Sequence, residues 1–361
     1  MPRRVDVGEL RRDTYCDTIW CRNKFGVIFF DVYVNRKKTE LMFDTGADLL
    51  VLKRDSLSTK KYASIRITDS NNHEEYEAVE QIKKIKIRHQ KYKEFFAVRS
   101  YFPTLFACMS DGLLGANMIK RSNWKITDTF LAFSDKPFKA EGEVKQVDYF
   151  LYASNRFFSN FTVNGMKIDT CLIDYGGRFE MELPLKYCDE FKKHIKVLNR
   201  ITKSVASQWG IHGKSEPDTT VVINCSIDFN GISMDSVNVR FARKTKERSI
   251  GVLLLSRFHA VYIDKSKGRL MYELPVSPNR WQRKCPFSVS LQGSSFVVDG
   301  IEIRDKTSLP LRMGDQLKEI NGKKPADFHS PCEFIFWLQE LKRVKQVEVI
   351  TADNQKILIK S

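Results

Sequence analysis

The chain has 361 residues, 42% of them hydrophobic and 12% aromatic, enough for two or three packed cores and too apolar for a disordered protein. Its formal net charge is +16, nearly all of it carried before Pro286; this reads first as a solvated basic surface and second as a preference for acidic substrates or an anionic envelope, and no groove-sized recognition helix or stacked-aromatic signature points to nucleic acid. No run approaches transmembrane length, and the eight cysteines are scattered with no paired CxxC zinc pattern.

Residues 1–23 read as an N-terminal arm or a first edge strand. MPRRVDVGEL carries basic residues but no apolar core segment, so it is not a signal peptide as it stands. The compartment is open, with periplasm or secretion expected if a leader is removed. Cys16 and Cys21 are the one close cysteine pair, and an oxidising compartment would allow a disulfide between them. A first unit, 24–136, contains the strand-like runs VIFFDVYV, TELMF, LLVL, IKKIKI and EFFAVRSYF, rich in β-branched and aromatic residues. Between Ile65 and Val79 a polar stretch with Asn71-Asn72 predicts a hairpin tip.

Residues 137–146 are polar, include Gly142 and read as a connector. In a second unit, 147–275, Leu185, Cys188, Phe191, Ile195 and Leu198 predict one apolar helix face over 185–198. Ser204 to Thr220 is a second hairpin candidate. Its Gly213-Lys214-Ser215 ends like a phosphate-binding loop, but Gln208 stands where that motif needs glycine. Residues 276–286 are proline-rich and basic, a linker. Over 287–361 we expect a strand at 287–291, two short strands in FVVDGIEI, a helix over 332–342 and the strands VEVIT and KILIK.

The second unit repeats the first at a spacing of about 130 to 139 residues, far too long for a solenoid repeat. FDVYVNRKKTELMF before Asp44 matches FTVNGMKIDTCLI before Asp174: a strand, a polar turn, and a second strand running into an aspartate. After the aspartates come Thr45, Gly46 and Ala47 in one copy and Tyr175, Gly176 and Gly177 in the other. Each unit closes on a Gly-plus-aliphatic run, a short helix and a strand hairpin. By the sequence match, the second copy has Leu254 where the first has Gly115. A charge set between apolar strands is seldom kept there without a partner or a task.

LMFDTGADLLVL and its partner CLIDYGGRFEMELP resemble the two active-site loops of the pepsin and retropepsin aspartic proteases. The resemblance covers about Lys24 to Pro275. It implies a mostly β, bilobal acid-protease-like β-barrel body with an internal duplication, and an Asp44/Asp174 dyad that hydrolyses extended polypeptide through an activated water. It also implies hairpin flaps, including the one over 65–79, that close on substrate. No metal or cofactor is needed, and one chain suffices to build the site. The six dispersed histidines read as surface or core polar groups. In that family a Thr or Ser follows each aspartate and hydrogen-bonds across to the opposite loop. Thr45 keeps this and Tyr175 does not. The expectation for Tyr175 is a ring that lines the substrate cleft. The alternative function is a catalytically inactive protein that binds or scaffolds peptides in the same cleft.

Gly314-Asp315 before an apolar strand, closed by Ile320-Asn321-Gly322, resembles the core of bacterial PDZ domains, which implies a C-terminal PDZ-like α/β domain over 287–361. A peptide strand could add along its groove. Its carboxylate-binding loop would be Cys285-Pro286-Phe287-Ser288, and proline offers no N–H for a peptide terminus.

Overall fold

The computed structural model describes residues 9–10, 14–54, 61–152, 154–279, 285–303 and 309–360. Parts of the expected arm and of the linker, notably 280–284, lie outside the described residues. Strand accounts for 57% of the chain and helix for 11%, so the protein is mostly β, built on two large mixed sheets that are each partly ring-closed.

Matching strand pairings occur in the two units 24–136 and 147–275. In each, a hairpin of two strands turns at an asparagine. Val27–Val34 and Lys37–Phe43 turn at Asn35, while Phe157–Val163 and Met166–Asp174 turn at Asn164, with φ of 47° and 51°. Asparagine tolerates this left-handed region because its short amide bonds locally. The side chains do the same work in both copies. Asn35 Oδ1 accepts from Lys84 N–H at 3.1 Å, and Asn164 Oδ1 accepts from Asp228 N–H at 2.7 Å. The strands Gly112–Leu114 and Arg248–Gly251 then run parallel to the second strand of each hairpin.

The repeats join through antiparallel pairing of Asn123–Ile126 with Phe258–Asp264, Trp124 standing opposite Ile263. Trp124 is buried between the rings of Phe43 and Phe133, at 5.1 and 5.2 Å, and its indole N–H donates to Ile119 O at 2.7 Å. Burying such a side chain stabilises by about 1.5–3 kcal/mol, and Phe43 is the residue before Asp44. The central sheet continues outward on both sides. Cys16–Trp20 pairs with Phe130–Ser134, and Val144–Leu151 pairs with Arg269–Val276. Thus the end of the expected arm is an edge strand, and the expected connector has already become strand at Val144.

One expected helix is shortened. The helix Cys188–Lys193 follows a 3-10 turn at Leu185–Tyr187, and the chain then enters the strand Val197–Ala206, where Leu198 is 51% exposed. Nine-residue pairing of that strand with Asp218–Phe229, over a run containing Val197, Ile201, Thr202 and Val205, overrides the helical spacing.

After Cys285 a second apolar cluster forms around Phe287, Phe296, Leu317, Phe334 and Val349. FVVDGIEI is one strand within Ser295–Ile303, with a bulge at Asp299, and the helix is Pro331–Leu341. Asn321 and Gly322 make the tight turn, with φ of 48° and 75°. This module is tied to both repeats. Its residues 300–303 pair with 203–206 of the second repeat. Its helix is bonded to the first repeat by a disulfide between Cys108 and Cys332, while Cys16 and Cys21 are both free thiols.

Candidate active site

Asp44 and Asp174 stand at the ends of matched strands. The ladder carries Leu114 opposite Phe43 and Ile250 opposite Ile173, so each aspartate ends a strand that runs beside one parallel neighbour. Each carboxylate is held by its own turn. Asp44 Oδ1 accepts from the N–H groups of Gly46 and Ala47, and Asp174 Oδ1 from those of Gly176 and Gly177, all four at 2.9 Å.

The two turns meet face to face. A Cβ placed on Gly46 would lie 2.4 Å from Asp174 Oδ1, and one on Gly176 would lie 2.4 Å from Asp44 Oδ1. Each glycine is therefore the close approach that lets one turn reach the other's carboxylate. All eight residues singled out in the sequence, Asp44 to Ala47 and Asp174 to Gly177, are in this one junction.

Both carboxyls are pushed above the ordinary carboxylate range. For Asp44 the main cause is burial, opposed by the N–H groups of Ala47 and Gly46 and by the Arg156 charge. For Asp174 it is burial, then the charge of Asp44. Two such groups titrate as a pair and hold one proton between them over an interval of pH.

Thr45 links the loops. Its buried hydroxyl donates to Ile173 O at 2.6 Å and accepts from Tyr175 N–H at 2.9 Å. The reciprocal link is missing, and Tyr175 does not line a cleft. Its ring is 1% exposed and packs edge-on against Phe43 at 5.5 Å, and its hydroxyl has no hydrogen-bond partner among the described residues. The expectation of an exposed ring at the cleft is corrected. A ring too long for the threonine position turns into the apolar core beneath the junction, where area burial rewards it.

A second correction concerns Gly115. Its structural partner is Gly251, not Leu254. The parallel ladder places Gly251 opposite Asp174, as Gly115 follows the pair of Leu114 with Phe43. Both glycines precede the first residue of a short helix, Ala116–Ile119 and Val252–Leu255. A Cβ on Gly115 would lie 2.1 Å from Leu49 O, and one on Gly251 would lie 2.3 Å from Phe179 O. Both units therefore place a glycine at this position.

The hairpin expected between Ile65 and Val79 forms from Lys61–Thr68 and Glu74–Ile87. Its tip contacts the second candidate hairpin, which sequence reasoning had not linked to it. Asn71 Nδ2 donates to Gln208 O and Gly213 O, each at 3.3 Å, and His212 N–H donates to Asp69 Oδ2 at 3.3 Å. Gly213-Lys214-Ser215 belongs to this contact: Lys214 pairs with Asp299, and Ser215 Oγ accepts from Gln208 N–H at 3.0 Å. Two further neighbours of the loops were not legible. Asn155 donates to Asp48 at 2.8 Å, and Arg178 donates to Gln339 of the C-terminal helix at 2.5 Å. Both join residues more than a hundred positions apart, and no local pattern announces them.

No known family model matches the chain, and no curated protein matches it.

Proposed function

We propose that the chain is an aspartic-type endopeptidase with a bilobal acid-protease-like body and a C-terminal PDZ-like domain. The observation that carries this reading is the reciprocal approach of the Asp44 and Asp174 turns, each glycine lying against the other turn's carboxylate. With one proton on the pair, the ionised carboxylate takes a proton from a water. The protonated one donates to the oxygen of the scissile carbonyl, and the water oxygen attacks the carbonyl carbon. The N–H groups of residues 46, 47, 176 and 177 hold the carboxylates in place, so no reorganisation is needed as charge develops. The joined hairpins over 61–87 and 204–220 act as flaps on an extended polypeptide. The Cys108–Cys332 disulfide supports an oxidising compartment, periplasmic or extracellular.

The test is hydrolysis of an unfolded protein by the wild type and by Asp44→Asn and Asp174→Asn, with folding checked by circular dichroism. Both variants should fold and lose at least about a hundredfold in rate. Turnover should be bell-shaped in pH, with limbs displaced from the ordinary carboxylate range toward neutrality, because both carboxyls are raised. Undiminished cleavage by Asp44→Asn, or a rate rising steadily into alkali, removes the dyad from the mechanism.

One observation favours the alternative, a non-catalytic peptide-binding protein: among the described residues, the side-chain hydrogen bonds between the loops are made by Thr45 alone. Wild type that binds unfolded polypeptide and cleaves none at any pH would establish that reading.

A further inference from the structure

We propose that Glu75, Glu77 and His212 form a binding site for a zinc-class divalent cation, which pins the two hairpins to each other. This site is separate from the dyad and does not rest on the protease reading. Glu75 and Glu77 are two apart on the strand Glu74–Ile87, so their side chains leave the same face. His212 belongs to the turn between Trp209–Gly210 and Gly213–Lys214, which pair with each other. The carboxylates thus come from the first repeat and the imidazole from the second.

The imidazole is in an unusual state for a buried polar group. Its side chain is 1% exposed, yet Nε2 has no hydrogen-bond partner among the described residues. Nδ1 lies 3.6 Å from Glu75 Oε2 and 3.6 Å from Glu77 Oε1, beyond hydrogen-bonding distance from both. Buried polar groups are normally bonded, and an exception asks for an explanation. An ion held by Nδ1 and the two carboxylates would give the buried ring a partner on that side, while Nε2 stays unpaired. With zinc–nitrogen and zinc–oxygen bonds of about 2.0–2.2 Å and tetrahedral angles, two ligand atoms stand roughly 3.3 Å apart. The three ligand atoms all fall within 4.8 Å of one another, so modest side-chain adjustment closes the site.

The surroundings fit a cation. Glu77 is nearly as buried as the histidine, with a side-chain exposure of 7%, and a buried carboxylate calls for a positive partner. Ser100 Oγ donates to Glu77 Oε1 at 2.6 Å, the kind of outer hydrogen bond that orients a ligand. The His212 backbone is fixed by Asp69. Glu75 is exposed, with a side-chain value of 59%, which leaves an entry path and a place for water as fourth ligand. One imidazole with two carboxylates suits zinc over magnesium or calcium, which prefer all-oxygen shells of higher coordination. The dispersed-histidine reading of the sequence missed this site because its members are 135 positions apart.

The experiment is calorimetric titration of chelator-stripped full-length protein with Zn²⁺, repeated with Co²⁺ and read in the visible. We expect one ion per chain, a tetrahedral cobalt spectrum without a thiolate charge-transfer band, and no competition from Mg²⁺. Glu75→Gln and His212→Asn should each weaken zinc by more than about tenfold. Glu75 is exposed, so its variant tests the site even if a buried substitution fails to fold. Zinc should also slow amide exchange in both hairpins together, and in neither for Glu75→Gln. No stoichiometric binding, equal affinity in the variants, or a thiolate band assigning the ion to Cys16 or Cys21 would each overturn the proposal.

Discussion

The paired carboxylates cost the fold stability, and the cost depends on pH. A carboxyl whose folded pKa is raised binds more protons folded than unfolded between the two values. Stability therefore falls as pH rises from the ordinary carboxylate range through the folded value. Asp44 and Asp174 are both raised, so Asp174→Asn should melt higher than wild type at neutral and alkaline pH and nearly equal to it in acid. Each tenfold change in proton affinity is worth about 1.4 kcal/mol. Equal melting temperatures across the pH range would show that burial does not tax the pair. Tyr175 makes a second prediction. Its hydroxyl is buried without a partner, so Tyr175→Phe should stabilise by about 1–3 kcal/mol, because it removes an unpaid desolvation. Tyr175→Thr should instead destabilise, by opening a cavity beside Phe43. Denaturant midpoints distinguish these, and a destabilised Tyr175→Phe would mean that the hydroxyl is bonded. The sequence located both aspartates because charge between apolar strands is a local signal. It could not place the tyrosine ring, since the direction of one side chain is settled by the packing of residues distant in sequence.

At the scale of elements, turns and pairings carried the information. Asparagine turns and strand alternation were legible because each is a property of a few consecutive residues. What failed was register. Aligned by hydrophobic character alone, Gly115 faces Leu254; the ladder places Gly251 there. Two glycines that each sit under a backbone carbonyl are interchangeable with nothing larger. Gly115→Ala and Gly251→Ala should therefore destabilise alike, by about 1–3 kcal/mol or more, since Leu49 O and Phe179 O cannot withdraw without breaking the loops. Measuring both by chemical denaturation checks the equivalence. A tolerated Gly251→Ala beside a damaging Gly115→Ala would mean that the second repeat has lost the constraint. The helix expected over 185–198 failed for a related reason. Its last apolar position, Leu198, belongs to a strand whose partner, Asp218–Phe229, is remote from it.

Across the whole molecule, the C-terminal module is fastened to both repeats. Its helix is bonded through Cys332 to Cys108 of the first repeat. Its strand extends the second repeat's sheet at residues 203–206, and Gln339 accepts from Arg178, the residue after Gly177. None of this was visible in the sequence, where the cysteines stand 224 residues apart and the nearest pair, Cys16 and Cys21, draws attention instead. A cross-link over so long a loop removes much conformational freedom from the unfolded chain, worth roughly 5 kcal/mol in the chain-entropy treatment and commonly less when measured. Reduction should therefore lower the melting temperature by several degrees. It should also let the module, which has its own apolar cluster, unfold in a separate, earlier transition. A Cys108→Ser/Cys332→Ser variant should show the same two transitions without reductant and no further response to it. Scanning calorimetry with and without reductant reads both. If wild type melts identically in the two conditions, the bridge does not hold the module, and non-covalent contacts such as the strand pairing at 203–206, Arg178–Gln339 and Lys214–Asp299 fix it instead.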